Sequence, residues 1–185
     1  MANETVRSLW QLWHSALSPE QVDLIIAAGE AQPAVGATVF ADSQVDTEIR
    51  SSTIRWLKDR SIRDLLWEFV KEGNINAFGV DVENYAEMQF TEYYASQNGH
   101  YDWHHDVNWQ GNANSDRKLS VTVQLSHPNE YEGGAFEFNE CQTPLNARAR
   151  GTVLVFPSYL HHRVLPVTSG SRKSLVAWFH GPRWR

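Results

Sequence analysis

The sequence predicts a mainly β fold that is preceded by helices. Residues 1–75 contain helix-start signals and apolar residues at helical spacing, whereas residues 76–181 contain short apolar segments separated by turn residues. No helical pattern lies between the predicted strands, and strands without helical crossovers pair antiparallel. The expected architecture is therefore an antiparallel barrel or a double-sheet jelly roll that the helices buttress.

Two helices are predicted in the first 75 residues. The first begins at Ser18, which is followed by proline at the first turn and by Gln21 at the third position, and it ends at Gly29. The second begins near Ser61, carries apolar residues at three- and four-residue spacing, and ends at Gly73. Residues 33–55 mix polar and β-branched types and are expected to hold an edge strand and a loop.

Eight strands are predicted after the helices, because runs of strand length alternate with turns rich in glycine, asparagine and proline. They are residues 77–82, 86–94, 100–106, 118–126, 134–139, 152–156, 162–167 and 173–179. The length of 185 residues predicts one domain, in which residues 1–75 form a mainly helical support and residues 76–181 the jelly-roll core.

Composition and charge argue against several classes of function. A net charge of −6 without basic runs disfavours nucleic acid as a partner. The single cysteine, Cys141, excludes a disulfide within the chain and a cysteine-based zinc or iron–sulfur site. No apolar run approaches the roughly 18 residues of a membrane span, and the first residues lack a signal-peptide pattern. The sequence therefore predicts a soluble cytoplasmic protein without a membrane partner.

The most informative segment has the sequence GHYDWHHD and ends at residue 106. Side chains two positions apart on a strand point the same way, so His104 and Asp106 are expected to project together and His105 away. Such mixed nitrogen and oxygen ligands suit Fe(II) better than structural zinc. A third ligand is expected from His161 or His162, between which spacing alone does not decide. Zinc hydrolysis, or polar groups satisfied at strand ends, would also explain these residues.

At these residues the sequence resembles the prolyl 4-hydroxylase-type 2-oxoglutarate/Fe(II)-dependent dioxygenases. The resemblance covers residues 86–181 and consists of motifs in family order: Tyr-x-x-His-x-Asp, Gly-Gly, Gly-x-x-x-x-Phe and His-x-x-x-Pro-Val. They stand at residues 101–106, 133–134, 151–156 and 162–167. The resemblance implies a double-stranded β-helix core, and its register selects His104, Asp106 and His162 as iron ligands.

The resemblance also implies Fe(II), 2-oxoglutarate and O₂, with ascorbate as an auxiliary reductant. Arg172, ten positions after His162, stands where the family places a basic residue that pairs with the distal carboxylate of 2-oxoglutarate. A guanidinium binds a carboxylate through two parallel hydrogen bonds. Tyr94 is expected to donate a hydrogen bond to the same carboxylate, and Tyr101 to line the pocket. Gln124 stands where some members have a co-substrate-binding tyrosine, and we expect it to hydrogen-bond instead.

The resulting hypothesis is a dioxygenase that converts 2-oxoglutarate to succinate and CO₂ while hydroxylating an unactivated C–H bond. The favoured target is C4 of a proline in a peptide or protein, with residues 42–55 and 107–117 as candidate lids. The candidate substrate contacts are Arg50, Trp103, Trp109, Tyr131 and Trp178. One alternative is the same chemistry on a free amino acid, another protein side chain or a small metabolite. The other is a non-enzymatic binding module with this fold.

Overall fold

The computed structural model describes residues 8–36, 48–111, 113–144 and 147–185. Within these ranges the chain forms two β-sheets and two α-helices. The strands are β1 (Gln11–Trp13), β2 (Val35–Gly36), β3 (Arg50–Ser51), β4 (Thr53–Leu57), β5 (Ala86–Tyr94), β6 (His100–His104), β7 (Ser115–Gln124), β8 (Tyr131–Gly133), β9 (Phe136–Phe138), β10 (Val153–Pro157), β11 (His162–Val164) and β12 (Val167–Pro182). The helices are α1 (Pro19–Glu30) and α2 (Arg60–Gly73).

The two sheets enclose an interior, as expected of a jelly roll. The larger sheet has the order β1-β10-β7-β12-β5-β4-β2, with β8 paired to the first part of β12, and the smaller sheet has the order β3-β6-β11-β9. The strands pair antiparallel throughout the described residues. The predicted mainly β fold with N-terminal helices and a double-stranded β-helix core is confirmed.

Strand alternation divides the side chains of the larger sheet between two environments. Alternate residues of β12 face the interior between the sheets, and these are Arg172, Ser174, Val176 and Trp178. The intervening residues pack with the helices in the main hydrophobic core, and these are Leu175, Ala177 and Phe179. One face of the sheet therefore stabilises the fold through the hydrophobic core, and the other face lines the interior between the sheets.

Helix α1 begins where the sequence predicts and ends later. Ser18 Oγ accepts from the Gln21 backbone N–H, and Gln21 Oε1 accepts from the Ser18 N–H at 2.9 Å, which forms a capping box. The predicted end at Gly29 is wrong, because the helix continues through Glu30. Gly29 instead lies over Phe90 of β5, where an added Cβ would be 2.5 Å from the ring. This glycine lets the helix approach the sheet closely.

The predicted strand at residues 77–82 is wrong. Helix α2, capped by the side chain of Asp59, passes through Gly73 into a π-helical turn, Asn74–Phe78. The Asn74 side chain then hydrogen-bonds both the N–H and the C=O of Val80, each at 2.9 Å. These bonds fold the segment back, so local side-chain bonding outcompetes sheet pairing. Gly79, with φ 61°, adopts the left-handed conformation that ends the turn.

The first 75 residues also contribute strands to both sheets. β1 pairs with β10, β4 with β5, and β3 with β6. The edge strand expected within residues 33–55 is present as β2 at the edge of the larger sheet, and β3 forms an edge of the smaller sheet. Residues 37–47, which include part of the predicted lid, lie outside the described ranges. Of the helices that the structure describes, none combines the length and hydropathy needed to span a membrane.

The contact between Gly29 and Phe90 predicts an unusual response to Gly29→Ala. Helix propensity alone would stabilise the protein by about 1 kcal/mol. We expect instead a loss of about 1–3 kcal/mol in the free energy of unfolding, because the new methyl group overlaps the ring. Urea denaturation measures this, and the loss should shrink in a Phe90→Ala background, which lacks the Cγ and Cδ2 atoms that the new methyl group would overlap. A more stable Gly29→Ala protein would contradict the packing argument.

Candidate functional site

Two histidines and an aspartate converge in the interior between the sheets. Ligand-type atoms of His104, Asp106 and His162 all lie within 4.8 Å of one another. Nε2 of His104 is 3.8 Å from Asp106 Oδ1, and Nε2 of His162 is 3.6 Å from Asp106 Oδ2. His104 ends β6 and His162 begins β11, and the two are direct partners in the antiparallel register. Sheet pairing therefore joins groups that are distant in sequence.

Backbone carbonyls orient both imidazole rings. Nδ1 of His104 lies 2.7 Å from the Asp102 carbonyl oxygen, and Nδ1 of His162 lies 2.9 Å from that of Leu160. Because a carbonyl only accepts, each Nδ1 carries the proton and donates it. The other nitrogen of each ring, Nε2, is then the one that faces Asp106 and is placed to act as a ligand.

The carboxylate of Asp106 is buried and held by two serines. Ser120 Oγ donates to Asp106 Oδ2 at 2.6 Å, and the Asp106 backbone N–H donates to the Ser158 carbonyl at 2.8 Å. The two serine hydroxyls lie 2.9 Å apart. These contacts fix the carboxylate between the histidines.

The charges of the cluster are set by burial and by its own members. Burial opposes the ionisation of Asp106, but the nearby His162 and His104 and the hydrogen bond from Ser120 hold its pKa below the usual value. Burial, followed by His162, lowers the pKa of His104 to about 3. The cluster therefore offers a carboxylate at Asp106 and a neutral imidazole at His104, the forms that coordinate a divalent cation.

The chain has two pairs of adjacent histidines, at 104–105 and 161–162, and one member of each pair, His105 and His161, faces away from the cluster. His161 is exposed, and its Nδ1 lies 3.0 Å from Oε1 of Glu140. The ring of His105 lies 5.3 Å from that of His161, and its buried Nδ1 has no hydrogen-bond partner within the described part of the chain. Geometry therefore groups His162, and not His161, with His104 and Asp106.

A buried guanidinium lines the same cavity as the cluster. Arg172 is 4% exposed, and its Cζ lies 5.6 Å from the ring centre of Tyr93, its register partner on β5. Among the described residues no carboxylate or carbonyl pairs with this guanidinium. Because a buried cation without a partner is costly, the cavity is suited to an anion at this position.

Comparison with known proteins identifies the family. Residues 88–180 match the sequence profile described as "2OG-Fe(II) oxygenase superfamily". The chain belongs to this superfamily. Its name implies Fe(II) and 2-oxoglutarate, which react with O₂, and the residues present fit both groups. Two imidazoles and a carboxylate suit Fe(II), and the buried Arg172, which has no counter-ion among the described residues, suits the distal carboxylate of 2-oxoglutarate.

Relatives with assigned names match only part of their length. The PKHD-type hydroxylase of Hyphomonas neptunium is 35% identical over 124 residues, which cover 63% of this chain and 53% of that protein. The PKHD-type hydroxylase of Colwellia psychrerythraea is 44% identical over 64 residues, which cover 32% and 27%. The matches thus span about half or less of these relatives.

Solved structures share the fold over nearly the whole chain. A Pseudomonas putida prolyl-4-hydroxylase has a TM-score of 0.70 at 21% identity, with 95% of this chain and 93% of that chain covered. A Trichoplax adhaerens prolyl hydroxylase in complex with a hypoxia inducible factor peptide fragment has a TM-score of 0.65 at 17% identity, with 92% and 83% covered. At these identities the likeness establishes the fold of this superfamily member.

The predicted contact between Tyr94 and the co-substrate needs correction. Tyr94 OH donates to Glu92 Oε1 at 2.8 Å, and these two side chains lie on the face of β5 that is turned away from the cavity. Strand alternation places the preceding residue, Tyr93, in the cavity beside Arg172. The predicted residue was displaced by one position, which on a strand reverses the face.

Tyr101 lies in the cavity as predicted, whereas Gln124 lies outside its lining. The Tyr101 ring stacks on His104, with centroids 3.4 Å apart, and the guanidinium of Arg50 covers its ring at 4.4 Å. Gln124 Nε2 donates to Tyr131 OH at 3.0 Å. Tyr131 is 3% exposed and is not part of the cavity lining, so it does not offer a surface for the substrate contact expected of it.

The predicted substrate contacts separate into two groups. Arg50 and Trp178 line the cavity, and the buried Trp178 Nε1 has no hydrogen-bond partner in the described ranges. Trp103 and Trp109 are 38% and 52% exposed and are not part of the cavity lining. A contact between these two residues and a substrate stays a prediction.

Sequence reasoning missed several residues that shape the site. They are Gln89, Tyr93, Ser120, Ser158 and Arg117. Arg117 covers the Trp178 ring at 3.8 Å and is held by Glu87 through two bonds, at 2.9 and 2.7 Å. Ser120 has the same parity on β7 as Gln124, which the sequence assigns to the site, so strand alternation could have revealed it. Gln89 and Tyr93 have the opposite parity to Tyr94 on β5, so the wrong face assigned to Tyr94 also concealed them.

The ion pair between Glu87 and Arg117 is expected to make the stability of the protein depend on pH. The hydrogen bond from His180 and the pairing with Arg117 outweigh burial and lower the pKa of Glu87 to about 2. Its stabilising effect is therefore complete above the unfolded value of 4.5 and is lost as the pH falls towards 2. Glu87→Gln should lower the free energy of unfolding by about 1 kcal/mol at neutral pH.

Urea denaturation of both proteins at about pH 7 and pH 3 tests this prediction. The difference between wild type and Glu87→Gln should be smaller at the lower pH. Glu68→Gln, at an exposed position paired with Lys71, is the control and should have little effect. An equal difference at both pH values would show that the carboxylate of Glu87 does not act through its charge.

Proposed function

We propose that the protein is an Fe(II)- and 2-oxoglutarate-dependent hydroxylase that acts on C4 of a proline in a peptide or protein. The proposal rests on a single cavity whose lining includes both the cluster of His104, Asp106 and His162 and the guanidinium of Arg172. Among the described residues this guanidinium has no counter-ion. We further propose that residues 76–181 form the catalytic core of one domain and that residues 1–75 support it.

His104, Asp106 and His162 would hold the iron. When bound, iron and 2-oxoglutarate supply the oxidising chemistry: O₂-dependent decarboxylation to succinate and CO₂, coupled to hydroxylation of a C–H bond. The two histidines are already oriented for this role, because Nδ1 of each ring donates to a backbone carbonyl, that of Asp102 or Leu160.

Arg172 would bind the distal carboxylate of 2-oxoglutarate. The guanidinium is fixed on the central strand β12 and is covered by Tyr93, so little side-chain entropy is lost on binding. Around it the cavity lining is largely apolar, and the residues concerned are Phe136, Phe156, Val164 and Val176. These side chains exclude water and strengthen the charge pairing.

The substrate would enter past Trp178 and Arg50. Trp178 presents a buried N–H that has no acceptor among the residues the structure describes, which suits a carbonyl oxygen such as that of a peptide bond. Arg50 is held by Gln89 at 2.7 Å and by Ser52 at 2.9 Å. The names of the structural relatives, which are prolyl hydroxylases, support a proline as the target.

Replacement of each histidine tests the metal site. With Fe(II) and 2-oxoglutarate under anaerobic conditions, wild type should show a weak metal-to-ligand charge-transfer absorption band. His104→Ala and His162→Ala should abolish it, because each removes a ligand. His161→Ala is the matched control and should retain the band, since this side chain pairs with Glu140. The iron site would be refuted by a band that persists in His104→Ala and His162→Ala.

Arg172→Gln tests the co-substrate site. Loss of one partner from a buried charge pair costs about 2–5 kcal/mol, so the Kd for 2-oxoglutarate should rise by about 30-fold or more. Titration of the same absorption band measures this change. Lys173→Gln is the neighbouring control; its ammonium pairs with Glu30 on the helix side, and its Kd should match wild type. Equal effects of both variants would contradict the assignment.

A library of proline-containing peptides tests the substrate. Incubation with Fe(II), 2-oxoglutarate and O₂ should add one oxygen atom, and fragmentation mass spectrometry should locate it on proline. Trp178→Phe, which keeps a ring but removes the N–H donor, should raise KM for the peptide while 2-oxoglutarate binding is unchanged. Hydroxylation of a free amino acid, another side chain or a metabolite, with no hydroxyproline in any peptide, would favour the alternative.

A further inference from the structure

A surface groove continues from the mouth of the cavity. Arg50, Gln89 and Trp178 line both the cavity and its opening, so the two are continuous. Trp56 lines both this opening and a second depression, of about 440 Å³, which reaches the start of α2. We call this depression the β4–α2 groove. A chain that enters the cavity at Trp178 would meet this groove next.

Exposed aromatic rings form part of the β4–α2 groove. It lies where β4 ends and β5 begins, and its walls include Trp56 and Tyr85, which are 44% and 56% exposed. The ring centroids of Trp56 and Trp178 are 6.1 Å apart. Large exposed aromatic surfaces next to a binding cavity are typical of contact sites for polypeptides.

The acidic groups of the groove already have partners. Asp59 Oδ1 accepts from the backbone N–H groups of Ser61 and Ile62 at 2.8 and 3.1 Å, as the cap of α2. Glu87 accepts from Arg117 at 2.7 Å. The charge of Glu87 is therefore offset by Arg117, whereas Asp59 keeps its negative charge at the start of α2.

Two basic groups of the groove have no such partner. Lys58 and Arg60 are exposed, and within the described part of the chain neither has a carboxylate at ion-pair distance. The third cation, Arg63, pairs with Asp64 at 2.8 Å. The groove thus has an excess of positive charge in a chain whose net charge is −6. Local charge of this kind selects a partner of opposite sign.

We infer that the β4–α2 groove binds an acidic segment of the polypeptide substrate, adjacent to the residue that enters the cavity. This inference rests on the proposed function, because it takes the cavity as the place of the target residue. Acidic side chains pair with Lys58 and Arg60, and the backbone and apolar side chains of the segment lie on Trp56 and Tyr85. Substrate choice then depends on the sequence beside the target as well as on the target itself.

Peptide binding and charge reversal test the inference. The probes are two fluorescein-labelled peptides with a central proline, flanked by aspartates in one and by asparagines in the other. Fluorescence anisotropy with the Fe(II)- and 2-oxoglutarate-loaded protein should give a Kd about tenfold lower for the aspartate peptide, and added salt should reduce the difference. The double variant Lys58→Glu/Arg60→Glu should lose or reverse this preference. Lys71→Glu, at an exposed position further along α2, should keep it.

The outcomes separate this inference from the proposed function. Charge-dependent binding that requires Lys58 and Arg60, without hydroxylation of the proline, would support the groove and overturn the prolyl target. Equal Kd values for both peptides, or the same loss in Lys71→Glu, would overturn the groove even if proline is hydroxylated. Tighter binding of oligothymidylate than of the aspartate peptide would also overturn it. Circular dichroism spectra like that of wild type establish that the variants are folded.

Discussion

The antiparallel pairing of β6 with β11 is the contact on which the rest of the site depends. It sets His104 opposite His162, and the neighbouring carbonyls of Asp102 and Leu160 fix the proton on Nδ1 of each ring. Asp106 is placed by another strand connection, since its backbone donates to Ser158 after β10. A shift of register by one residue in either strand would turn a histidine to the opposite face and leave the cluster incomplete.

In the larger sheet, the alternation of side chains along each strand separates the hydrophobic core from the cavity. The outer face of this sheet packs against α1 and α2 and forms the main hydrophobic core. Residues of β5, β7 and β12 contribute to this core. The inner face can then carry buried polar groups such as Ser120 and Arg172. Burial of polar and charged residues beside the cavity lowers the free energy of unfolding. The protein tolerates this loss because the opposite face of the same strands contributes hydrophobic stabilisation.

Much of the fold and of the candidate site follows from local sequence. The capping box at Ser18, the bounds of β5 at residues 86–94 and the β7 and β12 strands are all predicted by short-range patterns. The pairing of His104 with Asp106 was reached from strand alternation, although β6 ends at His104 and Asp106 lies beyond it. The side-chain direction there is set by the Ser158 and Ser120 contacts, which no local pattern contains.

The errors have a common physical origin in contacts between distant residues. Gly29 carries the signature of a helix end, yet its function is to admit Phe90 of a strand far along the chain. Residue type alone would allow either Tyr93 or Tyr94 to face the cavity. The strand register, which pairs Tyr93 with Arg172, decides that Tyr93 faces inward. β1 has three residues, too few for a periodic signal, and it is recognisable only through its partner β10.

The buried guanidinium of Arg172 has a consequence for folding as well as for binding. The protein supplies no counter-ion for it among the described residues, so the folded chain bears an electrostatic cost that the unfolded chain, in water, does not. An anion that binds there, and only in the folded state, repays this cost by mass action, by about 2.7 kcal/mol at a hundredfold excess over its Kd. The thermal stability of the folded chain would then rise and fall with the concentration of that anion.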